Sequence, residues 1–241
     1  DSGFGWPQYR STGLYEAAIH YKGLKPFTLT AGAFAPNLTL EGGQRAADKL
    51  FSADPTIIDL VGTSSVNGGQ LGIQLSADGP RWLVETAFTG GRVGDSGSSR
   101  QRGVLARAAG LVVKQDDLDV HLGVSAVWSF RTPQAFGSPP GITYASTPEY
   151  DIPGRSTIDT GSIPARGTLN VGPEFGFAYG PLWFQAEWYP ALVSRTDGPD
   201  PSFSGWYVQA AWTLIGQPRQ WRPSAGSWGA PSPHHAFDPA H

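Results

Sequence analysis

Over long stretches of this chain every second residue is apolar, and that period of two is its strongest signal. Val120, Leu122, Val124, Ala126, Trp128 and Phe130 are separated by His121, Gly123, Ser125, Val127 and Ser129, mostly small or polar. Trp206, Val208, Ala210, Trp212 and Leu214 alternate with Tyr207, Gln209, Ala211 and Thr213. Leu182, Phe184, Ala186 and Trp188 alternate with Trp183, Gln185, Glu187 and Tyr189. Leu169, Val171, Phe175 and Phe177 do so with Thr168, Asn170, Gly172, Glu174 and Gly176. Neighbouring side chains of an extended strand point to opposite faces, so each stretch predicts a strand with one apolar and one polar face. The pattern predicts nine strands, at 13–22, 27–36, 68–77, 82–90, 102–114, 118–130, 168–179, 181–194 and 205–215. Most exceed the usual soluble strand and approach the roughly 9–11 residues a tilted strand needs to cross a bilayer.

The connections fall into two kinds in strict alternation. Short ones lie at 23–26, 78–81, 115–117 and 180–181, and long ones at 37–67, 91–101, 131–167 and 195–204. A meander with tight turns at one rim and long loops at the other produces that order, as in outer-membrane barrels. A Greek-key sandwich gives no reason for it.

The face chemistry separates a membrane barrel from a soluble sheet. A soluble half-exposed strand carries Lys, Glu and Thr outward, whereas here the polar side is largely Gly, Ser, Gln, Asn and Thr. Trp128, Trp188, Trp206, Trp212, Tyr15 and Tyr21 sit near predicted strand ends, where aromatic girdles meet lipid headgroups. The expected fold class is therefore all-β, an antiparallel up-and-down transmembrane β-barrel in outer-membrane lipid. A soluble β-sandwich or barrel is the competing fold.

Composition narrows this further. Gly 32 and Pro 21 make up close to a quarter of 241 residues, which suits many turns between short strands. The apolar 39% and aromatic 12% argue against disorder. A net charge of -3 shows no nucleic-acid footprint. No apolar run reaches the length of a transmembrane helix. Cysteine is absent, so disulfide and thiolate-metal chemistry are excluded. The chain opens at Asp1 with no readable signal peptide, as expected of a processed or internal portion.

Three segments carry a family resemblance. Gly205-Trp206-Tyr207-Val208-Gln209-Ala210-Ala211-Trp212-Thr213-Leu214-Ile215-Gly216, followed by Arg219, resembles the late signature of the phosphate-selective porin O and P family. Gly180-Pro181-Leu182-Trp183-Phe184-Gln185-Ala186-Glu187-Trp188 is similar to its preceding hairpin, and Thr30-Ala31-Gly32-Ala33-Phe34-Ala35-Pro36 to the strand before its inward-folded loop. The resemblance implies a 16-stranded outer-membrane barrel that assembles as a homotrimer and passes small anions, phosphate or polyphosphate among them. On that pattern residues 1–241 form a single barrel domain, incomplete at both ends, lacking roughly three strands before residue 13 and about four after residue 241. Its inward-folding segments would be 37–67, 131–167 and 216–241.

A porin selects by pore width and by lining charge, and arginine offers forked donors that match phosphate oxygens. Gln44–Phe51 predicts one or two helical turns ended near Pro55, with Arg45 and Lys49 at i and i+4 on one face. Arg107 is opposite in phase to Val104, Ala106, Ala108 and Val112, so it faces the lumen if those face lipid. Arg131 continues the inward phase of its strand, and Arg219 and Arg222 flank Trp221 in the tail. The family's phosphate-holding lysines near the ends of strands 181–194 and 205–215 are missing, leaving only Arg195, and Pro218 replaces a small polar residue. General anion preference is thus the expectation rather than tight phosphate binding. For each cation the alternative is an ordinary loop or rim residue paired with an acid.

No cofactor is expected. His234-His235 and His241 suit a polar loop better than a metal site, since adjacent strand residues point apart. No G-x-S-x-G elbow and no phosphate-cradling glycine loop occur, so an enzyme is not expected. Two further functions stay open: a plugged structural or adhesive outer-membrane barrel, and an outer-membrane hydrolase such as a lipase.

Overall fold

The computed structural model describes residues 16–62, 69–146 and 157–233. Nine strands of eight residues or more run in chain order: β1 Ala17–Leu24, β2 Phe27–Phe34, β3 Gln70–Gly79, β4 Trp82–Arg92, β5 Arg102–Lys114, β6 Leu118–Arg131, β7 Ile163–Tyr179, β8 Leu182–Arg195 and β9 Ser202–Trp212. Each pairs antiparallel with its sequence neighbours, from β1 through β9, in one meander. The predicted strands thus all form, with ends displaced by a few residues, and residues 13–15 lie outside the described region. β7 starts five residues earlier than its alternation suggests, because Ile163 and Pro164 pair with the short strand Gly141–Ile142 of the preceding loop.

The period of two becomes two faces. The outer face carries Ile73, Val84, Phe88, Leu122, Val124, Trp188 and Val208, all exposed, together with Trp128 at 56% and Trp212 at 65%. A soluble protein does not leave so continuous an apolar surface in water. In lipid it needs no further cover, and the antiparallel ladder satisfies the backbone that water would otherwise hydrate. Trp128 lies near the loop end of β6, and Trp82 and Trp212 at the turn ends of β4 and β9. Trp188 instead lies mid-way along β8, opposite Trp206 on β9.

The inner face is polar yet buried. Glu85, Arg107, His121, Ser125, Asn170, Glu174, Gln185 and Glu187 are all nearly inaccessible. They are covered by residues 35–62, which include the helix α1 Thr56–Gly62, and by residues 213–233. One apolar cluster reaches from Phe34 on β2 through Leu38, Ile57, Ile58 and Val61 to Tyr189 on β8 and Tyr207 on β9, with Ala18 of β1 packed against it. Both ends of the meander meet the same cluster, so the sheet curls around the inserted loop. No helix among the described residues is long and apolar enough to cross a membrane.

One close approach fixes the inner face locally. A Cβ at Gly172 of β7 would lie 1.7 Å from the Tyr189 ring on β8, so the ring occupies the space that glycine leaves. Gly172→Ala forces Tyr189 from its place and is expected to destabilise the protein by about 1–3 kcal/mol. Thermal unfolding in detergent would show the drop, and an unchanged midpoint would contradict this packing.

Candidate functional site

Arg107 sits at the centre of the inner face with all five donor positions taken. Nε and Nη2 form a fork onto Glu174 of β7, at 2.8 and 2.9 Å. Nη1 donates to the carbonyls of Asn37 (2.9 Å) and Ala225 (3.0 Å), and Nη2 also to that of Gly226 (2.8 Å). His121 of β6 lies 3.2 Å from the same Glu174 carboxylate, with its ring 4.9 Å from that of Trp221. The lumen-facing phase of Arg107 follows from the alternation, but its partners come from strands and loops far away in sequence. One side chain therefore ties two wall strands, the start of the inserted loop and the tail.

Glu187 of β8 does the same for the loop alone. Its carboxylate accepts the backbone N–H groups of Leu40 (2.8 Å) and Glu41 (3.0 Å) and the hydroxyls of Tyr189 (3.0 Å) and Tyr207. Gln185 Nε2 donates to Glu41 (2.5 Å) and to the Tyr207 hydroxyl (3.0 Å), and Gln44 Nε2 donates to Gln185 (2.8 Å). Burial pushes the Glu41 carboxyl above its ordinary range, with Lys49 opposing. Sequence reasoning missed Glu174, Glu187 and Gln185 as organising groups. Their only sequence signal is a large polar residue at an inward position otherwise filled by small ones.

Loop and tail interlock around Asp48. Its carboxylate accepts the Ala230 N–H (2.9 Å) and pairs with Arg222, while Arg45 lies 3.7 Å away. Burial alone would raise the Asp48 carboxyl, but the Ala230 N–H, then Arg222 and Arg45, outweigh it and hold it below the usual range. The Gly43 carbonyl accepts Ser227 Oγ at 2.8 Å. Leu40, Leu111, Ala178, Trp183 and Trp228 close over this contact as an apolar cluster.

The expected helix over Gln44–Phe51 does not form. Only a single 3-10 turn, Ala46–Asp48, appears, flanked by extended Arg45 and Lys49. The turn is tied to the tail instead: the Asp48 carbonyl accepts Arg219 Nη1 at 2.6 Å and its carboxylate the Ala230 N–H. Pro55 does not end a helix either; its carbonyl accepts from Ile58 at 2.8 Å, starting α1, where proline's missing N–H costs nothing. Arg45 and Lys49 consequently diverge. Arg45 is 75% exposed, whereas Lys49 is half-buried and paired with Asp54.

The remaining candidates occupy three settings. Arg219 is buried, donating to the carbonyls of Asp48 and Gly229 (3.2 Å), with its guanidinium 4.4 Å over the Trp183 ring. Burial lowers its pKa, opposed by the negative charge of Asp48 and Glu41. Arg131 is exposed at the loop rim, with no ion pair among the described residues. Arg195, at the same rim, lies 3.8 Å from Asp197, and its backbone N–H is held by Asp200. His234, His235 and His241 fall outside the described residues.

A curled antiparallel meander, lipophilic outside and polar inside, with long loops at one rim and an inserted loop on its inner face, defines an outer-membrane β-barrel of the porin class. The family model for phosphate-selective porin O and P matches residues 7–236, nearly the whole chain, and the protein belongs to that family. A search of curated proteins finds no match.

Proposed function

We propose that the protein is a passive channel for small anions with a general anion preference, phosphate included, rather than a tight phosphate binder. The observation that carries this reading is Arg219. Its guanidinium is held by two carbonyls and an aromatic face, with no carboxylate bonded to it among the described residues. A guanidinium stays charged even when burial disfavours it, so this positive charge is not cancelled by a direct partner. Exposed Arg131, with no ion pair among the described residues, adds to it, while Arg45, 75% exposed, shares Asp48 with Arg222. Arg107, Lys49 and Arg222 are each paired with a carboxylate, which supports weak rather than tight anion binding, as release requires. The family's name supports phosphate as a solute, and its trimeric pattern supports the same assembly here.

Planar-bilayer recording under a salt gradient tests this. The reversal potential is expected to have the anion-selective sign, and Arg219→Ala with Arg45→Ala should lower the anion-to-cation permeability ratio about two- to threefold. A cation-selective reversal potential in the unmodified protein refutes the reading.

A second reading rests on a different observation. The apolar cluster of Leu40, Leu111, Trp183 and Trp228 lies inside the barrel wall, as a plugged structural barrel would require. The absence of conductance steps in the same recordings would establish that reading.

A further inference from the structure

Between α1 and the inner face lies a cavity of about 170 Å3. Its walls include Ile57 and Val61 of α1, Tyr144 of the loop after β6, Tyr189 and Ala191 of β8, and Phe203 of β9. The lining is overwhelmingly apolar, and the Tyr144 and Phe203 rings lie beside it, tilted by 52° with centroids 5.6 Å apart. Among these walls stands Asn170 of β7, 1% exposed, with neither Oδ1 nor Nδ2 bonded to a partner among the described residues. Two of its polar neighbours are already engaged: the Tyr189 hydroxyl meets Ser125 (3.0 Å) and Glu187 (3.0 Å), and Thr160 Oγ1 donates to the Gly161 carbonyl (2.9 Å). The alternation of its strand puts Asn170 on the polar side.

We propose that this cavity binds a small neutral aromatic molecule bearing a donor and an acceptor side by side, of the primary carboxamide class. The size fits: an apolar protein cavity of roughly 150 Å3 accepts a benzene ring. The polarity fits as well. A buried carboxamide offers one acceptor and a donor in one plane, and a second carboxamide completes both in a cyclic pair. An anion does not fit, because no cationic side chain among the described residues lines the cavity and burying an unpaired charge is heavily disfavoured. The site is therefore distinct from the solute path proposed above, and it would fill the space between α1 and the wall.

Benzamide is the probe, titrated by ligand-observed saturation-transfer NMR against the full chain in detergent micelles. Partition of the probe into the micelle is common to all variants, so differences between them report the site. The unmodified protein is expected to bind saturably. Asn170→Leu keeps the γ-branched shape, removes the pairing and should weaken binding about tenfold. Ala191→Phe fills the cavity and should abolish binding. Asn170→Leu removes an unsatisfied buried group and leaves the barrel folded, which its heat-modifiable gel mobility would verify. No saturable binding by the unmodified protein overturns the proposal. Equal affinity in Asn170→Leu overturns it too.

Discussion

Replacing Arg107 by alanine is expected to cost about 3–5 kcal/mol of stability, the range for leaving one member of a buried ion pair alone, and to raise the single-channel conductance. The guanidinium and the Glu174 carboxylate are both wholly buried. Without Arg107, the Glu174 charge keeps only His121 beside it. The carbonyls of Asn37, Ala225 and Gly226 lose a common donor at the same time. Those three carbonyls belong to the inserted loop and the tail, so the stability loss and the loosening of the lumen contents arise from one change. Urea unfolding followed by tryptophan fluorescence measures the first, and bilayer recording the second. Arg107→Lys keeps the charge but cannot reproduce the fork, and it should fall between. Joint replacement of Arg107 and Glu174 by leucine removes the uncompensated charge and should recover much of the stability. The loop would still lack its tie, so conductance should stay high. Wild-type stability in Arg107→Ala would contradict this account of the wall.

Val124→Arg tests the other face with nearly as large an effect. Val124 lies mid-way along β6, 48% exposed, with Ala108 and Pro173 opposite on the flanking strands. An arginine near the bilayer midplane on the lipid side of a barrel costs roughly 2–4 kcal/mol, falling towards zero at the interfaces. The variant should show a reduced fraction of heat-modifiable, correctly inserted barrel. Asp116→Arg, in the exposed turn between β5 and β6, should assemble normally. Equal assembly of the two variants would mean that water, not hydrocarbon, covers Val124.

Much of the fold is legible because strand faces are a local property. Val120 to Phe130 alternate in the sequence, and in β6 His121, Ser125, Val127 and Ser129 are buried while Leu122, Val124 and Trp128 are exposed. The loop order was legible for a related reason, since a meander repeats the same two rims at every turn. The site was legible only in part. The side of the wall on which Arg107 lies follows from its phase relative to Val104, yet that phase says nothing of Glu174, 67 residues away. Lys49 and Arg222 were readable as cations in inserted segments; that Asp54 and Asp48 pair with them was not. The helical turns expected over Gln44–Phe51 failed for the same reason. Local spacing favoured them, whereas the segment is extended at Arg45 and Lys49 and bonded instead to the tail, its Asp48 carbonyl to Arg219, 171 residues away.

Sequence alone determined the nine long amphipathic strands found among the described residues, which of their faces meets hydrocarbon and at which rim the long loops lie. Period two and turn chemistry act between neighbours, and nothing distant is needed to read them. Tertiary structure alone decided which inward charges remain uncompensated. Loop, tail and wall meet only after the sheet curls, and a buried charge takes whatever partner that closure brings within reach.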